Sequence, residues 1–276
     1  MTRSAECIAF ANHKGGTGKT TSCLSIAGYL AKSGSKVLVV DFDPQANATS
    51  GLGIDMMTLK YSMYDAVLGQ CDGYAGMPIT EVMLETGVEN LHVAPSELDL
   101  AVGEVLMQHT KDKAGILNRI LEKVRPLYDY ILVDLPPSSG LLTINGLCAS
   151  DEVVIPLDAS IFSLEALDNL KASFRDIKYM AGYSFNQITV VLTRYVKPNA
   201  FSRAFHKCNP WQEAEARLRE MFHKVFIIPE SVEIYKAQKE RVPISHYALE
   251  SRVGKAYAEI AENIIINTNH KTELNK

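Results

Sequence analysis

The 276-residue chain has little of what marks export, membrane insertion or a metal cluster. Its five cysteines, Cys7, Cys23, Cys71, Cys148 and Cys208, are scattered and form no C-x-x-C pair, which excludes the common zinc-knuckle and dithiol patterns. This usage fits a reducing cytoplasm. No apolar run approaches the ~18 residues a membrane span needs, and the chain reaches a strand-like run at Cys7 without the long apolar core of a signal peptide. A soluble, cytoplasmic protein is expected. There is no internal repeat, low-complexity block or Pro/Gly/Ser linker, so one domain is expected over residues 1–276, closing with a short polar tail at about 267–276.

Short apolar, β-branched runs are present, and they alternate with longer amphipathic stretches. The strand candidates are residues 7–12, 36–43, 90–95, 128–136, 151–158, 187–195 and 224–229. Helices are expected around 19–32, 97–108, 113–125, 162–180, 212–222 and 248–266. Strand hydrophobicity that is continuous rather than alternating points to burial on both faces. The expected fold is α/β: a doubly wound, mostly parallel sheet of seven or eight strands with helices above and below.

A net charge of -4 conceals an asymmetry, because residues 171–255 hold 15 Lys/Arg against 8 Asp/Glu. Such a split can mark a surface for a polyanion, although solvated helix faces produce the same count. Lys171, Arg175 and Lys178 are spaced to share one helix face.

The stretch ANHKGGTGKTTS (11–22) nearly matches the phosphate-loop consensus G-x-x-x-x-G-K-[ST] but has His13 where the first glycine belongs, followed by Lys14. Gly15, Gly16, Thr17 and Gly18 lie between a buried strand and a helix opening at Lys19. Glycines let successive N–H groups converge on an anion, and the helix N-terminus adds partial positive charge. Lys19 is suited to β- and γ-phosphates, the Thr20 hydroxyl to Mg²⁺, and Thr21 to the α-phosphate side. Two acidic motifs complete the pattern. Asp134 ends the apolar strand in YILVDLPPSSG, where an aspartate organises the metal, and Asp41 and Asp43 end another in VVDFDPQANATSGLG. Asp41 and Asp43 both stand where a group beside an attacking water is needed.

KGGTGKTT (14–21), DFDPQANATSGLG (41–53), DLPPS (134–138) and IPLDASIFSLEAL (155–167) together resemble the deviant Walker-A ATPases of the ParA/Soj/MinD type. The resemblance runs from about residue 7 to 266. It implies an ATP hydrolase using ATP and Mg²⁺ that forms a homodimer around its nucleotides. Lys14 would then reach the partner's ATP, Asp43 would position the water, Asp41 would lie on the metal or switch side with Thr20 and Asp134, and Lys19 would bind its own phosphates. Ser138 would belong to a second switch segment. The chain departs from the family at IPES (228–231), where Pro-Arg-Asn is frequent, so base contacts do not carry over.

Within that family, the compact Soj type is the nearest match. It implies partition of a chromosome or plasmid, nonspecific binding to double-stranded DNA, nucleoid association, and a ParB-type protein that stimulates hydrolysis. Candidate DNA contacts are Lys171, Arg175, Lys178, Lys197, Arg203, Lys236, Lys239 and Arg241. The tail NTNHKTELNK is too polar to insert in a bilayer, so no stable membrane association is expected. The alternatives are a MinD-like ATPase positioning another cargo, a nucleotide-gated adaptor, and a metabolic ligase on the same fold.

Overall fold

The computed structural model describes residues 4–158, 187–196 and 210–274. Its strands are β1 (Glu6–Phe10), β2 (Val37–Asp41), β3 (Leu84–Glu85), β4 (Leu91–Ala94), β5 (Tyr130–Asp134), β6 (Glu152–Asp158), β7 (Gln187–Tyr195) and β8 (Lys224–Pro229). They form one sheet in the order β3-β4-β2-β5-β1-β6-β7-β8. Every pairing is parallel except the short edge pair β3–β4. The doubly wound α/β class read from the sequence is borne out.

The described helices are α1 (Lys19–Lys32), α2 (Asn47–Gly51), α3 (Met63–Leu68), α4 (Ile79–Val82), α5 (Leu100–Met107), α6 (Ile116–Glu122), α7 (Leu141–Cys148), α8 (Pro210–Met221), α9 (Val232–Lys239), α10 (Ile244–Tyr247) and α11 (Arg252–Leu274). The helix expected at 162–180 lies outside the described residues. Strand periodicity divides the core into two layers. Cys7, Ala9, Leu38, Val40, Ile131 and Val133 face one side of the sheet, with Met63, Leu100 and Leu117 packed on them. Ile8, Phe10, Val37, Val39, Tyr130 and Leu132 face the other, under Ile26, Leu30, Tyr257 and Ile260. Each of the larger side chains contributes about 1.5–3 kcal/mol on burial, and burial on both faces explains why the strands read as unbroken apolar runs.

Two differences from expectation have local causes. The segment expected as a polar tail is helical through Leu274. Helix α11 keeps a bonded flank as it enters that segment, where Thr268 Oγ1 donates to the Ile264 carbonyl at 2.9 Å. Like α2, α3, α4 and α10, the helices α7 and α9 have no counterpart in the sequence expectation. The first is a short apolar helix whose Leu142 N–H donates to Glu104 Oε1 at 3.1 Å, and the second is capped by Ser231, whose side chain accepts from the Glu233 N–H.

Parallel pairing sets the site. Asp41 and Asp134 are register partners at the C-terminal ends of β2 and β5, and Phe10 pairs with Asp134 from the other side. The loop after β1 therefore emerges beside both carboxylates, on the edge where open α/β sheets bind ligands. Helix α1 crosses back over the sheet and is wedged against α10. A Cβ on Gly28 would stand 2.6 Å from Pro243 Cβ, closer than side chains pack. Gly28→Val is expected to destabilise the fold by about 1–3 kcal/mol through overpacking. Urea denaturation checks this, and an unchanged midpoint would mean that α10 yields at no cost.

Candidate nucleotide site

The loop from Asn12 to Gly18 is built by its own short-range chemistry. Asn12 Oδ1 accepts from the Lys14 N–H at 3.0 Å, while Asn12 Nδ2 donates to the Pro156 carbonyl at 2.7 Å, tying the loop to β6. Gly16 and Gly18 have φ of 75° and 89°, the left-handed region in which a side chain is strained. Thr193 on β7 closes the loop from the other flank. Its hydroxyl donates to the Thr17 carbonyl oxygen at 3.0 Å, and its methyl would be 3.3 Å from a Cβ at Gly18. His13, Lys14, Gly15 and Gly16 are exposed at the outer edge, while Thr17 and Lys19 are buried.

The loop faces a cleft of about 590 Å³. Lys19, Thr20, Thr21, Asp43 and Pro137 line it, as do Arg194, Ile234, Gln238 and Arg241. Thr20 Oγ1 donates to Asp134 Oδ2 at 2.6 Å. The second oxygen of Asp134, Oδ1, is buried with no hydrogen-bond partner. Asp41 is differently engaged: its Oδ2 accepts from both the N–H and the hydroxyl of Thr49, each at 2.7 Å, and Oδ1 accepts from the Asp43 N–H at 3.3 Å. Asp41 thereby anchors the loop that carries Asp43, whose Oδ1 accepts from the Gln45 N–H at 3.0 Å.

Three acids, Asp41, Asp43 and Asp134, are thus buried around one ammonium, Lys19. Burial, reinforced by Asp41, drives the Asp134 carboxyl well above the usual carboxylate range despite the Thr20 bond and Lys19. Asp41 is pushed up as well, mainly by burial, against the pull of its Thr49 bonds. Lys19 is lowered by burial, with Asp134 and Asp43 opposing. An excess of negative charge and an orphaned carboxylate oxygen beside a threonine hydroxyl fit a divalent cation. A donor set of one hydroxyl and one nearby carboxylate suits an ion of the magnesium kind, which takes few protein ligands and fills its sphere with waters and phosphate oxygens.

The structure brings Lys19, Thr20, Asp43 and Asp134 together with the glycine loop. Asp41 sits beneath them with its oxygens turned to Thr49 and the Asp43 backbone. Of the candidate polyanion contacts, Lys236 and Lys239 are exposed on α9 and Arg241 follows it at the cleft. Lys171, Arg175, Lys178, Lys197 and Arg203 lie outside the described residues. Sequence reasoning missed Asn12, Thr49, Thr193, Arg194 and Gln238. Arg194 has φ 53° and pairs with buried Asp158 at 2.7 Å while lining the cleft. Asn12 and Thr49 lie inside the stretches 11–22 and 41–53 and could have been singled out there, whereas nothing in the sequence around Thr193, Arg194 or Gln238 signals them.

Fold and site together define a phosphate-loop nucleoside triphosphatase. A family model described as an AAA domain matches residues 5–187. The sporulation initiation inhibitor protein Soj of Bacillus subtilis is 36% identical over 261 residues, covering 94% of this chain and 98% of the relative. The chromosome partitioning protein ParA of Caulobacter vibrioides is 31% identical, with 94% and 93% covered. Among solved structures, an ATP complex of McdA from Cyanothece aligns with a TM-score of 0.78 at 20% identity, over 94% of this chain and 97% of that one. The cell division ATPase MinD of Pyrococcus furiosus aligns at 0.73 and 24%, over 94% and 98%. The chain belongs to the ParA/Soj/MinD family of deviant Walker-A ATPases, and its curated relatives include chromosome-partitioning proteins.

The raised carboxyls carry a signed consequence. A carboxyl whose folded value lies above its unfolded value favours the fold when protonated. Its contribution is present below an unfolded value of ~4 and is lost as pH rises through the folded value, which for Asp41 is about 6. In chelator, Asp134→Asn is therefore expected to be more stable than the wild type at pH well above ~4, by about 1 kcal/mol or more, because it removes a buried carboxyl that is costly to ionise. The gap should close towards about pH 4. Urea midpoints across that range test this, and a variant less stable than the wild type at the alkaline end would show that the charge is already compensated.

Proposed function

We propose that the chain is a Mg-ATP-dependent partition ATPase that dimerises on ATP, binds duplex DNA without sequence preference, and is released when a ParB-type partner stimulates hydrolysis. The observation that carries the reading is the 2.6 Å bond from Thr20 to Asp134 beside buried Lys19, under a glycine loop whose outer edge exposes Lys14. The same residues lie in a chain 36% identical to Soj.

On this reading, backbone N–H groups of residues 15–21 cradle the phosphates and Lys19 contacts the β- and γ-phosphates. Thr20 and Asp134 would hold Mg²⁺, which when bound would supply positive charge against the phosphoryl oxygens. Asp43, kept in place by Asp41 through the Thr49 anchor, accepts a hydrogen bond from the attacking water and orients it. Lys14, exposed at the outer edge of its own loop, supplies positive charge to the ATP of a second copy. Hydrolysis removes the group that Lys14 and the Asp43 loop share, so the pair separates and its joint DNA surface is lost.

The DNA surface needs only cations placed against phosphates. Lys236 and Lys239 are exposed and so available for such contacts, and residues 171–255 carry the basic surplus. Among the described residues no helix is long and apolar enough to cross a membrane, and α11 ends in a polar segment.

Binding to random-sequence duplex DNA across a salt series, with ATP and with ADP, tests the reading. Tight binding is expected with ATP only. Lys236→Glu with Lys239→Glu should weaken it and flatten the log–log salt slope by about 0.9 for each phosphate no longer neutralised. Lys19→Ala should abolish nucleotide binding, while Asp43→Ala should bind ATP and DNA but hydrolyse about 100-fold more slowly. DNA affinity indifferent to nucleotide, or hydrolysis that requires a small-molecule co-substrate, would contradict it.

A further inference from the structure

Gln238 lies 217 residues from Thr21 in sequence, yet its Nε2 donates to Thr21 Oγ1 at 2.9 Å. Both side chains line the cleft. A hydroxyl has one proton, and a hydroxyl that accepts from an amide keeps that proton for another direction. Thr21 is thereby set as a donor towards the cleft, on the side where the α-phosphate of a bound nucleotide would lie.

The helix that carries Gln238 is held at two further points. Past its C-terminus, the Val242 N–H donates to the Ala237 carbonyl at 3.1 Å, and Pro243 and Ser245 then pack into the space left by Gly28 on α1. The Arg241 carbonyl oxygen lies 3.7 Å from where a Cβ on Gly53 would stand, so the α9–α10 turn abuts the end of the segment that begins at Asp43. Arg241 itself has φ 56°, a conformation held by this packing. Helix α9 also presents Lys236 and Lys239, both exposed.

We infer that Gln238 is a positioning residue that orients the Thr21 hydroxyl at the nucleotide and, through that bond, couples nucleotide occupancy to the placement of α9 and its two exposed lysines. The inference rests on the ATP and DNA reading above and adds a regulatory link within the same site. Nucleotide that recruits the Thr21 proton strengthens the acceptor character of its oxygen towards Gln238 and draws α9 onto α1. The loop after Asp43 meets the same turn at Gly53, so both ends of the triphosphate report to one helix.

The test uses the full chain with Gln238→Ala, Gln238→Glu, Thr21→Val and the double variant Gln238→Ala/Thr21→Val. Three quantities are read: KM and kcat for ATP, affinity for a fluorescent ATP analogue, and the ratio of random-duplex affinity with ATP to that with ADP. Gln238→Ala is expected to raise KM by up to about fivefold, the ceiling being the net worth of one hydrogen bond, with a smaller change in kcat, and to shrink the ATP-to-ADP ratio. Gln238→Glu, which accepts instead of donating and turns the Thr21 proton away from the cleft, should be worse than Gln238→Ala. The double variant should be no worse than Thr21→Val. A wild-type KM and an undiminished ratio in Gln238→Ala, or penalties that multiply in the double variant, would overturn the inference while leaving the ATPase reading intact. Failure of the wild type itself to bind ATP, or to bind DNA in response to it, would overturn both.

Discussion

The hydrogen bond from Thr20 to Asp134 joins the two parts of the site that sequence keeps 114 residues apart. It fixes the start of α1 to the end of β5, and parallel pairing then brings Asp41 to the same level from β2. The electrostatic cost of the site follows from that convergence. Burial first, and acidic neighbours second, carry Asp41 and Asp134 above the usual carboxylate range, and the fold accepts this electrostatic penalty at the edge where its ligand belongs. The apolar layers on both faces of the sheet supply the stability that offsets it.

Much of this was legible in the sequence. The strands ending at Asp41, Asp134 and Asp158 announced themselves because burial on both faces leaves unbroken apolar runs, and the glycine loop did so because positive φ at Gly16 and Gly18 permits few other residues. What escaped were contacts between segments distant in the chain. Thr49 reads as one polar residue among several in NATSG, yet it bridges Asp41 and Ser96, whose N–H donates to the Thr49 hydroxyl oxygen at 2.9 Å. Thr193 and Arg194 end a β-branched strand with no motif around them, and only the sheet order places them against the phosphate loop. The two-residue edge strand β3 is too short to show a period.

The surfaces were less legible than the core for a physical reason. A core position is constrained by volume and polarity together, whereas an exposed lysine is constrained by neither unless something binds it. Lys236 and Lys239 look alike in sequence whether they meet phosphates or water. Helix α9 touches Thr21 through Gln238, and the turn after it, at Arg241, abuts Gly53 at the end of the segment that begins at Asp43. A helix that is fastened to the nucleotide cleft and also carries exposed lysines offers a mechanical basis for nucleotide-dependent DNA affinity, the behaviour proposed for this chain.

The central claim is that each site is completed by a second copy: Lys19 and Asp43 serve the nucleotide of their own chain, and the exposed Lys14 serves that of the partner. Hydrolysis by an equimolar mixture of Lys14→Ala and Asp43→Ala chains tests this most directly. Each variant alone pairs into two defective sites. In the mixed dimer, one site unites the Asp43 of the first chain with the Lys14 of the second, so phosphate release should rise well above the average of the two separate variants. Activity that stays at that average would contradict the account.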